Sequence, residues 1–194
     1  MREDLAALVP VRKGHFSLES GHHGDTWLEL ARLCLHPGRV RRLAEQLGDR
    51  LVELRVEAVC GPLVEGAFVA LLVASHLGVP FVYADRHETG SGIRYRVPAA
   101  LRDALCGRRV AIVDDAISAG SAVGATFADL RACGAEVVAI GALATLGPWA
   151  SRFASDRSLR LEALASLQGG IWTAADCPLC ARGEPITTAA AARC

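Results

Sequence analysis

Apolar residues after Pro37 fall at Val40, Leu43, Ala44, Leu47, Leu51 and Leu54, a three-to-four spacing that predicts a helix with one buried face. The short apolar run from Val56 to Cys60 predicts a strand, closed by the turn Gly61-Pro62. Ala67 to Leu77 is apolar nearly all round and stops at Gly78, the pattern of a buried helix with a glycine cap. Val79 to Ala84 predicts a second strand. Asp85 to Arg108 is polar with Gly90-Ser91-Gly92 at its centre, and a long mobile functional loop is expected there. A strand over Arg109–Val113, a helix over Ser121–Ala132 ended by Gly134, and a strand over Glu136–Leu146 follow. Leu159 to Leu167 predicts an edge strand. Strands that are apolar throughout, alternating with helices, indicate an α/β fold: a parallel sheet covered on both faces. Ligands in such sheets sit beyond the carboxyl ends of the strands.

Composition narrows the partner. The chain has 194 residues, enough for one compact domain, and is 52% hydrophobic, which argues against disorder. Lys+Arg and Asp+Glu balance at 21 each, so no global field draws nucleic acid or an anionic membrane, and a small-molecule partner is expected. Lys13 is the only lysine; every other basic side chain apart from histidine is arginine. The 7 cysteines are scattered and odd in number, as reduced thiols in a cytoplasmic protein would be. Met1-Arg2-Glu3-Asp4 opens no signal-peptide core, and no apolar run is long enough to span a bilayer.

The chemistry concentrates in Arg109-Val110-Ala111-Ile112-Val113-Asp114-Asp115-Ala116-Ile117-Ser118-Ala119-Gly120-Ser121-Ala122. Four apolar residues deliver two adjacent carboxylates at a strand end, and a loop of small and hydroxylic residues leads into a helix. Small side chains at Ala119 and Gly120 let backbone N–H groups approach an anion at the helix N-terminus. Ser118 and Ser121 offer hydroxyls to the same anion, and Asp114 and Asp115 can accept hydrogen bonds from vicinal sugar hydroxyls. A phosphorylated pentose fits from both ends. The two acids alone also suit a receiver-like aspartate pair, or an ordinary strand end with a capping serine. A Walker-type loop is excluded because its glycine-lysine pair is absent.

This segment resembles the signature of the type I phosphoribosyltransferases, and most closely that of the orotate phosphoribosyltransferases. Gly14-His15-Phe16-Ser17-Leu18-Glu19-Ser20-Gly21 is similar to the hood of those enzymes, and Cys60-Gly61-Pro62-Leu63-Val64-Glu65-Gly66-Ala67 to their pyrophosphate loop. The resemblance implies a hood over residues 1–36, a core over 37–168 and a C-terminal cap over 169–194. It implies transfer of ribose 5-phosphate from 5-phosphoribosyl 1-pyrophosphate to a nitrogenous base, with Mg²⁺ on the donor and a homodimeric assembly. Ser118, Ala119, Gly120, Ser121 and Ala122 would hold the 5-phosphate, and Asp114 and Asp115 the ribose. Gly61, Pro62, Leu63, Val64, Glu65, Gly66 and Arg86 would face the pyrophosphate, with Phe16, Ser17, His22 and His23 bordering the base. Replacing Gly120 with Val is expected to block the phosphate without harming the fold.

Three departures from the family pattern bear on this reading. No lysine lies between Asp85 and Arg108, where only Arg86, His87, Arg94, Arg96 and Arg102 can supply positive charge. Glu65 puts a carboxylate in the pyrophosphate loop, and His22-His23-Gly24 replaces a more basic string. The missing loop lysine motivates an alternative, a non-catalytic regulator that senses the donor or a nucleotide with the same cradle. Separately, Cys177-Pro178-Leu179-Cys180 is half a zinc site; Cys194 or a histidine would have to complete it, and a plain pair of cap thiols is the simpler expectation.

Overall fold

A computed structural model describes residues 9–90 and 92–187. In chain order its elements are β1 (Val11–Ser17), β2 (His23–Leu28), α1 (Pro37–Leu51), β3 (Ala58–Pro62), α2 (Glu65–Leu77), β4 (Phe81–Thr89), β5 (Gly92–Arg96), α3 (Ala99–Arg102), β6 (Arg109–Ile117), α4 (Ser121–Ala132), β7 (Glu136–Leu146), α5 (Trp149–Ser155), β8 (Arg160–Leu167), β9 (Ile171–Trp172) and α6 (Pro178–Ala181). The main sheet has the order β5-β4-β3-β6-β7-β8. All its pairings are parallel except β4–β5.

Alternation along β6 explains why its run is apolar on both sides. Ala111 and Val113 pack with Leu43, Leu47 and Leu51 of α1 and Val69, Ala70 and Val73 of α2. Val110 and Ile112 pack on the opposite side with Val123 and Leu130 of α4. Each sheet face is thus closed by helices, which fixes where β6 ends relative to the turns around it.

The segment expected to be a long loop is a β-hairpin. β4 runs on to Thr89 and pairs with β5 from Asp85↔Arg96 to Thr89↔Gly92. Ile93, Tyr95 and Val97 alternate with Arg94 and Arg96, and the apolar set packs on the α4 side of the core. That period of two outweighs the segment's overall polarity.

A second, three-stranded sheet, β1-β2-β9, forms the hood. β9 comes from the region expected to be a separate cap, so hood and cap share one sheet. Gly170 donates its N–H to Asp25 Oδ1 at 2.9 Å, and Thr187 bridges to Phe16, tying the C-terminal segment to β1 and β2.

Candidate active site

β6 carries Asp114 and Asp115 to the carboxyl edge of the sheet, where they are only 7% and 6% exposed. The Asp115 N–H donates to Asp114 Oδ1 at 3.0 Å, and the Ala116 N–H donates to Asp115 Oδ1 at 2.8 Å. Among the described residues neither carboxylate has an ion-pair partner. Burial, and then the charge of Asp115, raises Asp114 well above the usual carboxylate range. Burial pushes Asp115 up to about 6; hydrogen bonds from Asp114 and Ala116 oppose the shift, and the charge of Glu65 adds to it.

Ser118-Ala119-Gly120 then turns the chain into α4. Gly120 sits at φ 76°, and a Cβ there would run into the Trp149 ring, which stacks on Phe153 with centroids 4.5 Å apart. Glycine is required both by backbone conformation and by this close approach. The expectation that Gly120→Val would spare the fold is therefore corrected: the valine meets Trp149 as well as any phosphate. Ser118 and Ser121 are half-buried, and among the described residues their hydroxyls have no protein partner. They stand beside the N–H groups of the first turn of α4, which have no partner within the helix.

The Gly61–Gly66 loop lies alongside, on β3 and at the start of α2. A Cβ at Gly61 would meet Ala67 and Ala70, and one at Gly66 would overlap Asp114 Oδ1. These two glycines are what allow α2 to press its N-terminal turn against the aspartates. The Leu63 N–H donates to the Ala84 carbonyl at 3.0 Å, and Leu63–Val64 is a cis peptide.

A cleft of about 370 Å³ opens between the hood and this turn into α4, lined among others by Glu19, Thr26, Trp27, Glu65, Ser118 and Ser121. An apolar recess of about 450 Å³ lies beside it, between Val9, Leu28, Leu143 and Ala165, with Asp115 on its wall. Leu28 and Leu30 line both.

The residues expected to border the base are placed differently. Phe16 is buried in the hood against Trp27, with centroids 5.8 Å apart, and Ser17 is exposed and not in the cleft lining. His22 lines a neighbouring recess with Ala119 and Trp149. His23 turns away to His15 and Cys180. Their places at the cleft are taken by Leu18, Glu19, Ser20, Thr26 and Trp27.

The cations between Asp85 and Arg108 are spread over several surfaces. Arg102 pairs with Asp129 at 2.8 Å, while Arg94 and Arg96 lie over α4 near Ala125. Arg86 is at the cleft rim, where its Nε donates to Glu19 Oε2 at 3.2 Å and its Nη1 to Glu88 at 2.8 Å. Tyr95 donates its hydroxyl to Glu19 Oε1 at 3.0 Å. Lys13 pairs with Thr26 Oγ1 at 2.6 Å and lies 3.6 Å from Asp25.

No protein-family model matches the chain. Orotate phosphoribosyltransferases do match it along nearly its whole length: that of Nitratiruptor sp. is 31% identical over 186 residues, covering 90% of each chain. The Thermotoga maritima enzyme is 30% identical, covering 95% of this chain and 94% of its own. This chain belongs to the orotate phosphoribosyltransferase family. Its solved counterpart from Aeropyrum pernix superposes with a TM-score of 0.66 at 25% identity, covering 86% of this chain and 90% of that one. An adenine phosphoribosyltransferase from Thermoanaerobacter pseudethanolicus, at 19% identity and a TM-score of 0.69, shares the fold. As an orotate phosphoribosyltransferase family member the protein is a pentosyltransferase, which moves a phosphoribosyl group from 5-phosphoribosyl 1-pyrophosphate to a base. No helix among the described residues is long and apolar enough to cross a membrane.

Proposed function

We propose that the acceptor is orotate, and that the nest at Ser118–Ala122 holds the 5-phosphate while Asp114 and Asp115 accept hydrogen bonds from the ribose hydroxyls. The observation that carries this reading is the contact between two glycine-dependent loops and one buried carboxylate pair. Gly66 touches Asp114, and Gly120 begins the helix immediately after it.

The charge of the cleft suits the chemistry. Glu19, Glu65 and Asp115 line it or the recess beside it, so its walls are acidic. Displacement at the anomeric carbon builds positive charge on the ribose ring, and fixed carboxylates stabilise that charge without reorganising. The phosphates are met by backbone N–H groups and serine hydroxyls instead of lysine. Buried oxygen donors without a cationic partner fit Mg²⁺, a hard cation, and Asp114 and Asp115 are the side chains of this chain that would hold it with the donor. When bound, Mg²⁺ neutralises charge on the leaving pyrophosphate.

Arg86 has a further role in this reading. It rests on Glu19 in the free protein and transfers to the pyrophosphate when the donor enters. Leu18, Ser20, Thr26 and Trp27 border the base, Trp27 offering a ring face and Thr26 a hydroxyl oriented by Asp25 and Lys13. The assembly is a homodimer, in line with the exposed apolar stripe Val64, Phe68 and Leu71 on one side of α2. Incubation with donor, Mg²⁺ and a panel of pyrimidine and purine bases tests the acceptor. Pyrophosphate release with orotate alone is expected; release with adenine instead would overturn the assignment.

A further inference from the structure

Outside the lining of the cleft and of the recess beside it, four side chains converge at the junction of hood and C-terminal segment. His23 pairs with Ser17, and His15 lies two residues before Ser17, at an irregularity between Lys13 and Phe16 that leaves both His15 and Phe16 buried. Cys177 and Cys180 flank the start of α6, one helical turn apart. One ligand-type atom from each of the four lies within 4.8 Å of every other.

The individual distances suit four ligands of one ion. His15 Nε2 is 3.0 Å from His23 Nδ1, 3.5 Å from Cys177 Sγ and 3.7 Å from Cys180 Sγ, and Cys180 Sγ is 3.2 Å from His23 Nδ1. Zinc bonds of about 2.0–2.1 Å to nitrogen and about 2.3 Å to sulfur require tetrahedron edges of roughly 3.3–3.8 Å. Four of the six separations, at 3.0–3.7 Å, lie at or slightly under those edges, and all six are within 4.8 Å, so a small adjustment of the side chains admits the ion. His15 also has its outer ring nitrogen oriented: Nδ1 lies 2.8 Å from the Glu184 carbonyl, so it carries the proton and leaves the Nε2 lone pair facing inward. His15, His23 and Cys177 are buried and Cys180 is at the surface, a closed arrangement with no position left for substrate. Two thiols and two imidazoles select a borderline-soft ion, unlike the all-oxygen pair at Asp114 and Asp115.

We infer that His15, His23, Cys177 and Cys180 form a structural zinc site that fastens the C-terminal segment to the hood. The ion joins β1, β2 and α6, and β2 is the strand that continues into Thr26 and Trp27 at the cleft. Zinc therefore holds the acceptor wall in place while taking no part in the transfer. Binding displaces the two thiol protons, so zinc affinity falls as pH is lowered.

The test is elemental analysis of full-length protein purified with reductant and without chelator, followed by exchange of the ion for Co²⁺. One zinc per chain is expected. The Co²⁺ protein should show the intense visible bands of tetrahedral coordination and a near-ultraviolet thiolate charge-transfer band. Cys180→Ser should lose the charge-transfer intensity of one thiolate, and His15→Ala should weaken metal binding by about tenfold or more. Should either variant fail to fold, the wild-type Co²⁺ spectrum decides alone. Metal-free protein that gives only an octahedral Co²⁺ spectrum with excess cobalt would overturn the assignment. Chelation of wild-type protein should lower its melting temperature and raise KM for the base more than KM for the donor. Equal melting curves with and without the ion would likewise count against a structural role.

Discussion

Two adjacent carboxylates buried at a strand end destabilise the fold that carries them unless a ligand brings a cation, and that cost is measurable. Asp115 moves from an ordinary value of 3.8 to about 6. Because the folded-state value is raised, the contribution of this group to stability is fully present below about 4 and is lost as pH rises through 6. At pH 8 the charged form costs on the order of 3 kcal/mol in the unliganded protein. Asp115→Asn should therefore raise the melting temperature at pH 8, show a shrinking advantage toward pH 4, and abolish turnover. Parallel thermal melts at the two pH values check this, and a pH-independent difference would contradict it. Gly66→Ala addresses the neighbouring contact: its Cβ overlaps Asp114 Oδ1, so the aspartate must move. Overpacking of this kind costs about 1–3 kcal/mol. Denaturant melts should show that loss, and calorimetric titration should show weakened donor binding. At this scale the sequence was informative wherever backbone geometry dictates residue type, as at Gly61, Gly66 and Gly120. It was silent on Phe16, Ser17, His22 and His23, since a motif does not say which face of a strand each side chain occupies.

Among the elements, the helices and the inner strands were legible because their apolar periodicity is strong and their stops are glycines; Gly78 caps α2 at φ 68° as expected. The hairpin of β4 and β5 was not, because charged residues at Arg86, His87, Arg94 and Arg96 mask the alternation of Ile93, Tyr95 and Val97. Recognising it changes the role of the segment. Instead of an irregular loop, it is a paired arm latched to the hood through Glu19, which accepts from both Arg86 and Tyr95. The latch is exposed, so it adds little to stability. If Arg86 leaves Glu19 for the pyrophosphate, Glu19→Gln removes the competitor and should lower the KM for the donor, while Arg86→Ala should raise it. Steady-state kinetics on both variants, with unchanged melting temperatures, check the exchange; shifts in the same direction would contradict it.

For the molecule as a whole, the core fold follows from local pattern, but the joining of hood to cap does not. β9 pairs with β2 across more than 140 residues, and His15 meets Cys177 and Cys180 at similar separation, so no window of sequence contains either relation. The apolar stripe on α2 belongs to the same scale. Phe68→Asp puts a charge into a face that a second copy would cover, and should shift a dimer to monomer in analytical ultracentrifugation at unchanged helix content; a monomeric wild-type protein would contradict the dimer.

Donor binding in the proposed site begins with the nest at Ser118. Hydrogen exchange measured on the full chain, with and without 5-phosphoribosyl 1-pyrophosphate and Mg²⁺, reads it directly. Slowed exchange confined to the amides of the Ser118–Ala122 turn and the Leu63–Gly66 turn, absent in the Asp114→Asn/Asp115→Asn double variant, is the predicted result. Saturating donor that leaves those amides exchanging at their free rate would contradict the placement of the site.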